Sequence, residues 1–153
     1  MDEAPNQYLK DAILTAPPEQ LQLMLYDGAI RFIRQGLKGL ESRQWDQSFE
    51  GFSRAQKIVI ELLNSLNYEV DRALCTQMAS LYNFVYRKLL DASVQRDPKP
   101  ATEALGLIEY QRQTWLLLLD KLRQERAGAE LQAARPRQDF AEVPSYGSLS
   151  VQG

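Results

Sequence analysis

Residues 18–40 read PEQLQLMLYDGAIRFIRQGLKGL, and the fold is decided there. Apolar or small residues stand at Leu21, Met24, Leu25, Gly28, Ala29, Phe32, Ile33, Gly36, Leu37 and Leu40, the three-and-four spacing that lines one face of an α-helix. Pro18 fits a first helical turn, where its missing N–H is no loss, and Glu19 sits next to the positive helix end. Each glycine inside such a helix costs about 1 kcal/mol relative to alanine. Gly28, Gly36 and Gly39 therefore need a reason, and a neighbouring helix pressed close at Gly28 and Gly36 supplies one.

Working outward, Pro17-Pro18 holds Ala16 in an extended or turn conformation, so residues 1–17 form a separate arm with apolar groups at Tyr8, Leu9, Ile13 and Leu14. On the other side, Asp46 is placed to cap a second helix with Phe49, Phe52, Val59, Leu63 and Leu66 on one face, ending at Asn67. A third helix is expected from near Asp71, with Leu74, Met78, Leu81, Val85, Leu89 and Ala92 facing inward, stopping before Asp97-Pro98. A fourth runs from about Thr102 through Leu105, Ile108, Trp115, Leu119 and Leu122 to near Gly128. Four amphipathic helices joined by short loops make an all-α, antiparallel up-down four-helix bundle over residues 18–127. Residues 128–153, rich in Gln, Ala, Ser, Pro and Gly with scattered apolar groups, are expected to be a disordered tail.

Composition narrows the function. The formal charge is −2, from 18 Lys+Arg and 20 Asp+Glu without a basic cluster, which leaves no electrostatic footprint for nucleic acid. Cys75 is the only cysteine and lies within an apolar repeat, so a buried, inert thiol is expected. No signal peptide is legible at the start, and the longest apolar run, Trp115 to Leu119, is too short for membrane insertion, so a cytosolic protein is expected. There is no histidine, which removes the commonest general base and metal ligand together. With no phosphate-binding loop, dinucleotide fingerprint or nucleophile elbow either, no enzyme, cofactor or metal is expected.

What the sequence has in surplus is hydrophobicity. A bundle helix needs about three apolar positions in seven. The first helix adds Leu23, Tyr26 and Ile30; the second adds Ile58, Ile60 and Leu62; the third adds Tyr82, Tyr86 and Leu90. Trp115-Leu116-Leu117-Leu118-Leu119 points apolar groups all round the fourth. Either the stripes pack unevenly, filled by Trp45, Trp115 and the arm, or the excess forms a groove that a partner helix buries.

The residues resemble a known family at this point. Tyr8-Leu9-Lys10, Leu14-Thr15-Ala16 and Pro18-Glu19, then Leu23-Met24-Leu25-Tyr26-Asp27-Gly28-Ala29, resemble the start of the flagellin-specific export chaperones, the FliS family. The likeness continues through Lys57-Ile58-Val59, Leu62 to Asn67, Leu81-Tyr82-Asn83-Phe84 with Arg87, and Thr114-Trp115. Pro17 and Asp71-Arg72 depart from the pattern, where the family often has Ser and a Gly-rich turn.

The resemblance implies a cytosolic chaperone that binds the C-terminal segment of flagellin, prevents premature polymerisation and delivers it to the flagellar type III export gate, with the arm covering part of the cargo groove when cargo is absent. Partner contacts are expected at Tyr8, Leu9 and Leu14 of the arm, at Tyr26 and Asp27 of the shared motif, at Ile58, Leu62 and Tyr82 of the second stripes, and at Arg87 and Leu116. A flagellar export gate component is a further expected partner, and the free protein is expected as a monomer or weak homodimer. The alternative is a non-enzymatic, self-associating helical adaptor.

Overall fold

The computed structural model describes residues 18–135. It holds four helices: α1 Pro18–Glu41, α2 Trp45–Asn64, α3 Arg72–Gln95 and α4 Pro98–Ala133. No strand occurs among the described residues. The arm residues Tyr8, Leu9 and Leu14, and the tail after Arg135, lie outside them.

The helix ends show which local signals the chain obeys. Arg43 takes a left-handed conformation at φ 56°. This lets Gln44 N–H reach the Gly39 carbonyl at 2.8 Å and Arg43 N–H reach Leu40 at 3.2 Å, the paired closure of a helix C-terminus. The tight turn starts α2 at Trp45, with Gln44 in the cap position, so Asp46 lies inside the first turn instead of capping it. That helix ends at Asn64, not Asn67, with Ser65 as its C-cap and the Ser65 N–H making the last helical bond, to the Glu61 carbonyl, at 3.0 Å. Asn67 instead organises the next loop, accepting from Val70 N–H at 3.2 Å and from the buried Cys75 thiol at 3.2 Å. Asp71 caps α3 as its type and position indicate, its side chain accepting from Leu74 N–H at 3.0 Å.

The fourth helix differs at both ends from the sequence expectation. Asp97-Pro98 does more than stop α3: Asp97 accepts from Lys99 N–H at 3.0 Å while Pro98 fills the first turn, so α4 begins four residues before Thr102. Its end is Ala133 and not Gly128, so the first residues of the expected tail are helical; nothing lies within 4 Å of a Cβ built at Gly128, and the helix passes through it in open space.

Helix order follows from the contacts. Gly28, Gly36 and Gly39 on α1 meet Ile58, Phe52 and Ser48 on α2, so numbers fall on one helix as they rise on the other and the pair is antiparallel. A Cβ at Gly51 would stand 2.5 Å from the Gly36 backbone nitrogen, so the α1–α2 seam is drawn together by absent side chains. Gln56 of α2 bonds the Tyr86 carbonyl of α3, Lys88 of α3 pairs with Glu103 of α4, and Glu109 and Arg112 of α4 pair with Arg34 and Asp27 of α1. The ring closes as an up-down bundle.

Its core is Tyr26, Ala29 and Ile33 from α1, Phe52, Ala55, Val59 and Leu62 from α2, Tyr82, Val85, Leu89 and Ala92 from α3, and Ala101, Ala104 and Ile108 from α4. Contacts divide the chain after Leu116. The unit ending there contains all of these residues; the unit from Leu117 carries the distal part of α4.

Candidate functional site

Two flanks of the bundle are built in opposite ways. Along α1 and the first part of α4, Arg34 Nη2 meets Glu109 Oε2 at 2.6 Å and Arg112 Nε pairs with Asp27 Oδ1. An open cleft of about 480 Å³ between them is lined by Asp27, Ile30, Arg31, Arg34, Glu109, Arg112 and Gln113. Two ion pairs bridge the helices here while Arg31 lies over the Phe32 ring, and α1 contributes no large exposed apolar side chain.

The α2–α3 flank is apolar and open. Gln56 Nε2 donates to the Tyr86 carbonyl at 3.3 Å and fixes the level of the two helices. Counting in opposite directions from there along antiparallel helices sets Ser53 beside Leu90, Phe49 beside Val94 and Ile60 beside Asn83. Phe49 is 65% exposed, Leu90 47%, Val94 73% and Ile60 40%, far above what core residues on the same helices show. Tyr68 and Val70, in the loop joining these helices, are exposed as well. One flank therefore carries a strip of large apolar groups with nothing covering it among the described residues.

The sequence-predicted contact residues do not gather at one place. Tyr26, Leu62 and Tyr82 belong to the core, with exposures of 1%, 0% and 0%, which corrects their assignment to an outward stripe. Each helix has two neighbours in a closed bundle, so its buried face is wider than a single stripe. The two tyrosines meet there: their hydroxyls are 2.7 Å apart, and Gln22 Nε2 donates to Tyr26 Oη at 3.1 Å. Burial pushes the Tyr82 phenol well above its ordinary pKa, and the Tyr26 hydroxyl adds to this.

Asp27 lies on the ion-paired flank, bound to Arg112. Ile58 is half-buried on the opposite side of α2 from the apolar strip, against Gly28, and packs on the core. Leu116 is half-buried on α4. Trp115, also half-buried, donates its indole N–H to the Glu19 carbonyl at 2.9 Å. Only Arg87, exposed on α3 at the level of Gln56, falls on the apolar flank.

Sequence reasoning missed Phe49 and Val94 as surface residues. Phe49 was expected inside because the count followed large side chains, whereas the inner face of α2 is set by Gly51, Phe52, Ala55, Val59 and Leu62. Helical geometry at about 100° per residue turns Phe49 out once Ala55 and Val59 face in. That signal was available in the small residues.

Among the described residues, no group of three or more His, Cys, Asp or Glu stands arranged to hold a metal ion, and no helix is long and apolar enough to cross a membrane.

Comparison with known proteins brings the sequence and the geometry together. Residues 1–121 match the family model described as "Flagellar protein FliS". The chain is 30% identical over 122 residues to "Flagellar secretion chaperone FliS" of Bacillus subtilis (strain 168), covering 80% of this chain and 90% of that protein. It is 29% identical over 108 residues to the protein of the same name from Salmonella typhimurium, covering 70% of this chain and 80% of that one. The Campylobacter jejuni protein of that name is 24% identical over 110 residues, covering 72% and 86%.

Proposed function

Because the chain belongs to the FliS family of flagellar secretion chaperones, a non-enzymatic family, we propose that it is a cytosolic chaperone that binds the C-terminal segment of flagellin, keeps it from polymerising early and supports its export. The observation that carries the cargo reading is the apolar strip of Phe49, Ile60, Leu90 and Val94 along α2 and α3, left open among the described residues. An amphipathic helix recognises such a strip by laying its own apolar positions along it.

The physical logic favours a segment that lacks fixed structure when alone. Such a segment can wrap a long flank, and ordering it consumes part of the contact energy, so a wide surface serves better than one compact pocket. By burying the face that flagellin's helices use against each other, the chaperone holds monomers apart.

Calorimetric titration of the full chain with a peptide of the C-terminal segment of flagellin from the same organism tests this. One-to-one saturable binding with a negative heat-capacity change is expected, as apolar burial requires. No heat at several temperatures, together with a concentration-dependent dimer in size-exclusion chromatography, sinks the cargo reading in favour of a self-associating adaptor.

A further inference from the structure

Two cations stand on the apolar flank with no ion-pair partner among the described residues, and their position selects the kind of helix that fits. Lys57 follows Gln56 on α2, and Arg87 follows Tyr86 on α3; since Gln56 and Tyr86 are bonded to one another, the two cations occupy one level, on either side of the strip. The carboxylates that could neutralise them are one turn along: Glu61 after Lys57 and Asp91 after Arg87. Neither pair forms, although Glu50 and Arg54 do pair at this spacing on α2, at 2.9 Å. At about 100° per residue, a step of four turns each carboxylate roughly 40° further from the strip than its cation.

Pairing alone does not single these two out, since Lys38 and Lys99 also lack an ion pair among the described residues; their place beside the strip does. Arg34 and Arg112 on the α1–α4 flank are each held by a carboxylate, and Lys88 on α3 by Glu103 at 3.0 Å. Lys57 and Arg87 are the cations left between apolar groups: Phe49, Leu90 and Val94 lie toward one end of the strip, Ile60 toward the other. Phe49 and Ile60 are roughly 16 Å apart along the axis at a rise of about 1.5 Å per residue, some three turns of a partner helix. A purely apolar helix would bring the stems of both cations into a drier surrounding with nothing to pair their heads, which is unfavourable.

We infer that the helix bound on this flank carries an acidic residue midway along its apolar face, clamped between Lys57 and Arg87. The inference rests on the cargo reading and deepens it: the apolar groups supply contact area, and the single carboxylate fixes register and direction. A helix displaced by one turn, or lacking the acid, leaves both cations unpaired, which is how a charged pair rejects a wrong partner.

The test uses the full chain, the same flagellin C-terminal peptide, and peptides in which each Asp or Glu is replaced singly by its amide. Lys57→Gln with Arg87→Gln should weaken binding about tenfold and flatten its dependence on salt, because a screened charge pair has been removed. One amide peptide should lose affinity by a similar factor for the unsubstituted protein and lose nothing further for the double variant. Both residues are exposed, so the thermal melt of the double variant should match the parent; Lys57→Arg, which keeps the charge, should restore part of the affinity. If the parent binds the peptide and the double variant binds it equally at all salt concentrations, the clamp is wrong and the cargo reading stands. If the parent binds no such peptide, both are overturned.

Discussion

The α1–α4 flank and the α2–α3 flank belong to one bundle and use the same helical geometry, yet one is closed chemically and the other is not. On the first, Arg34–Glu109 and Asp27–Arg112 join residues 75 and 85 positions apart in sequence, and no large apolar side chain of α1 is more than partly exposed. On the second, the cross-helix bond from Gln56 to the Tyr86 carbonyl sits among Phe49, Ile60, Leu90 and Val94. Exposed ion pairs contribute little, typically under about 1 kcal/mol each, so the first flank gains its definition from pairing more than from energy. The second keeps apolar area in water, which a stable monomer has no use for. On the proposed reading, the difference separates a surface finished within the chain from one finished by a partner.

The comparison is broken most forcefully at the core behind both flanks. Leu62→Ala should lower unfolding free energy by about 2–5 kcal/mol, as expected for a fully buried leucine, measured by urea denaturation. A loss within about 0.5 kcal/mol, with weakened cargo binding instead, restores Leu62 to the partner surface where the sequence had it.

Next in size, Phe49→Ala combined with Leu90→Ala should reduce peptide affinity about tenfold or more, ~1.4 kcal/mol, while the melt stays within a few degrees of the parent. Equal binding moves the cargo surface off this flank.

Tyr82→Phe sharpens the boundary between core and surface. Removing a hydroxyl from the Tyr26–Tyr82 pair should cost about 1 kcal/mol. The folded-state pKa of Tyr82 is raised, so its contribution is fully present below the unfolded value of about 10 and is lost as pH climbs above it, at up to ~1.4 kcal/mol per pH unit. Tyr82→Phe should flatten the stability profile above about pH 10; an unchanged slope assigns the alkaline loss to other groups.

The smallest effect belongs to the ion-paired flank. Arg34→Ala should change stability by less than about 1 kcal/mol, diminishing with added salt, and leave peptide affinity unaltered. A large loss of binding there makes the α1–α4 flank part of the cargo surface.

Much of the fold was readable because its signals are local. Pro18, Asp71 and the apolar spacing of α1 act within a turn or two of themselves, and the glycines at Gly28 and Gly36 announced a close neighbour that Ile58 and Phe52 turn out to be; on α3 the spacing set Leu74 inward, where it is 52% exposed. The misreadings share one cause. Ala55, Ala101 and Ala104 are fully buried, but a count of large side chains passes over them, and so it drew Phe49 inward and pushed Tyr26 and Tyr82 outward. Asp97 shows the local version: the same dipeptide that stops α3 also caps α4.

The site was less legible still, because which flank is ion-paired depends on register between distant helices. Asp27 and Arg112 each look like ordinary surface charges until the bundle closes. Arg87 was selected for its place in a motif, while the strip beside it emerges only when Gln56 fixes the level of α2 against α3.

Methyl-resolved NMR of the full chain, titrated with the flagellin C-terminal peptide, distinguishes the two flanks in one experiment. The largest and earliest shifts should fall on Ile60, Leu63, Leu90 and Val94, with Leu23, Ile30 and Leu37 of α1 nearly unmoved. Shifts concentrated on α1 and absent from α2 and α3 would contradict the assignment of the α2–α3 flank as the cargo surface.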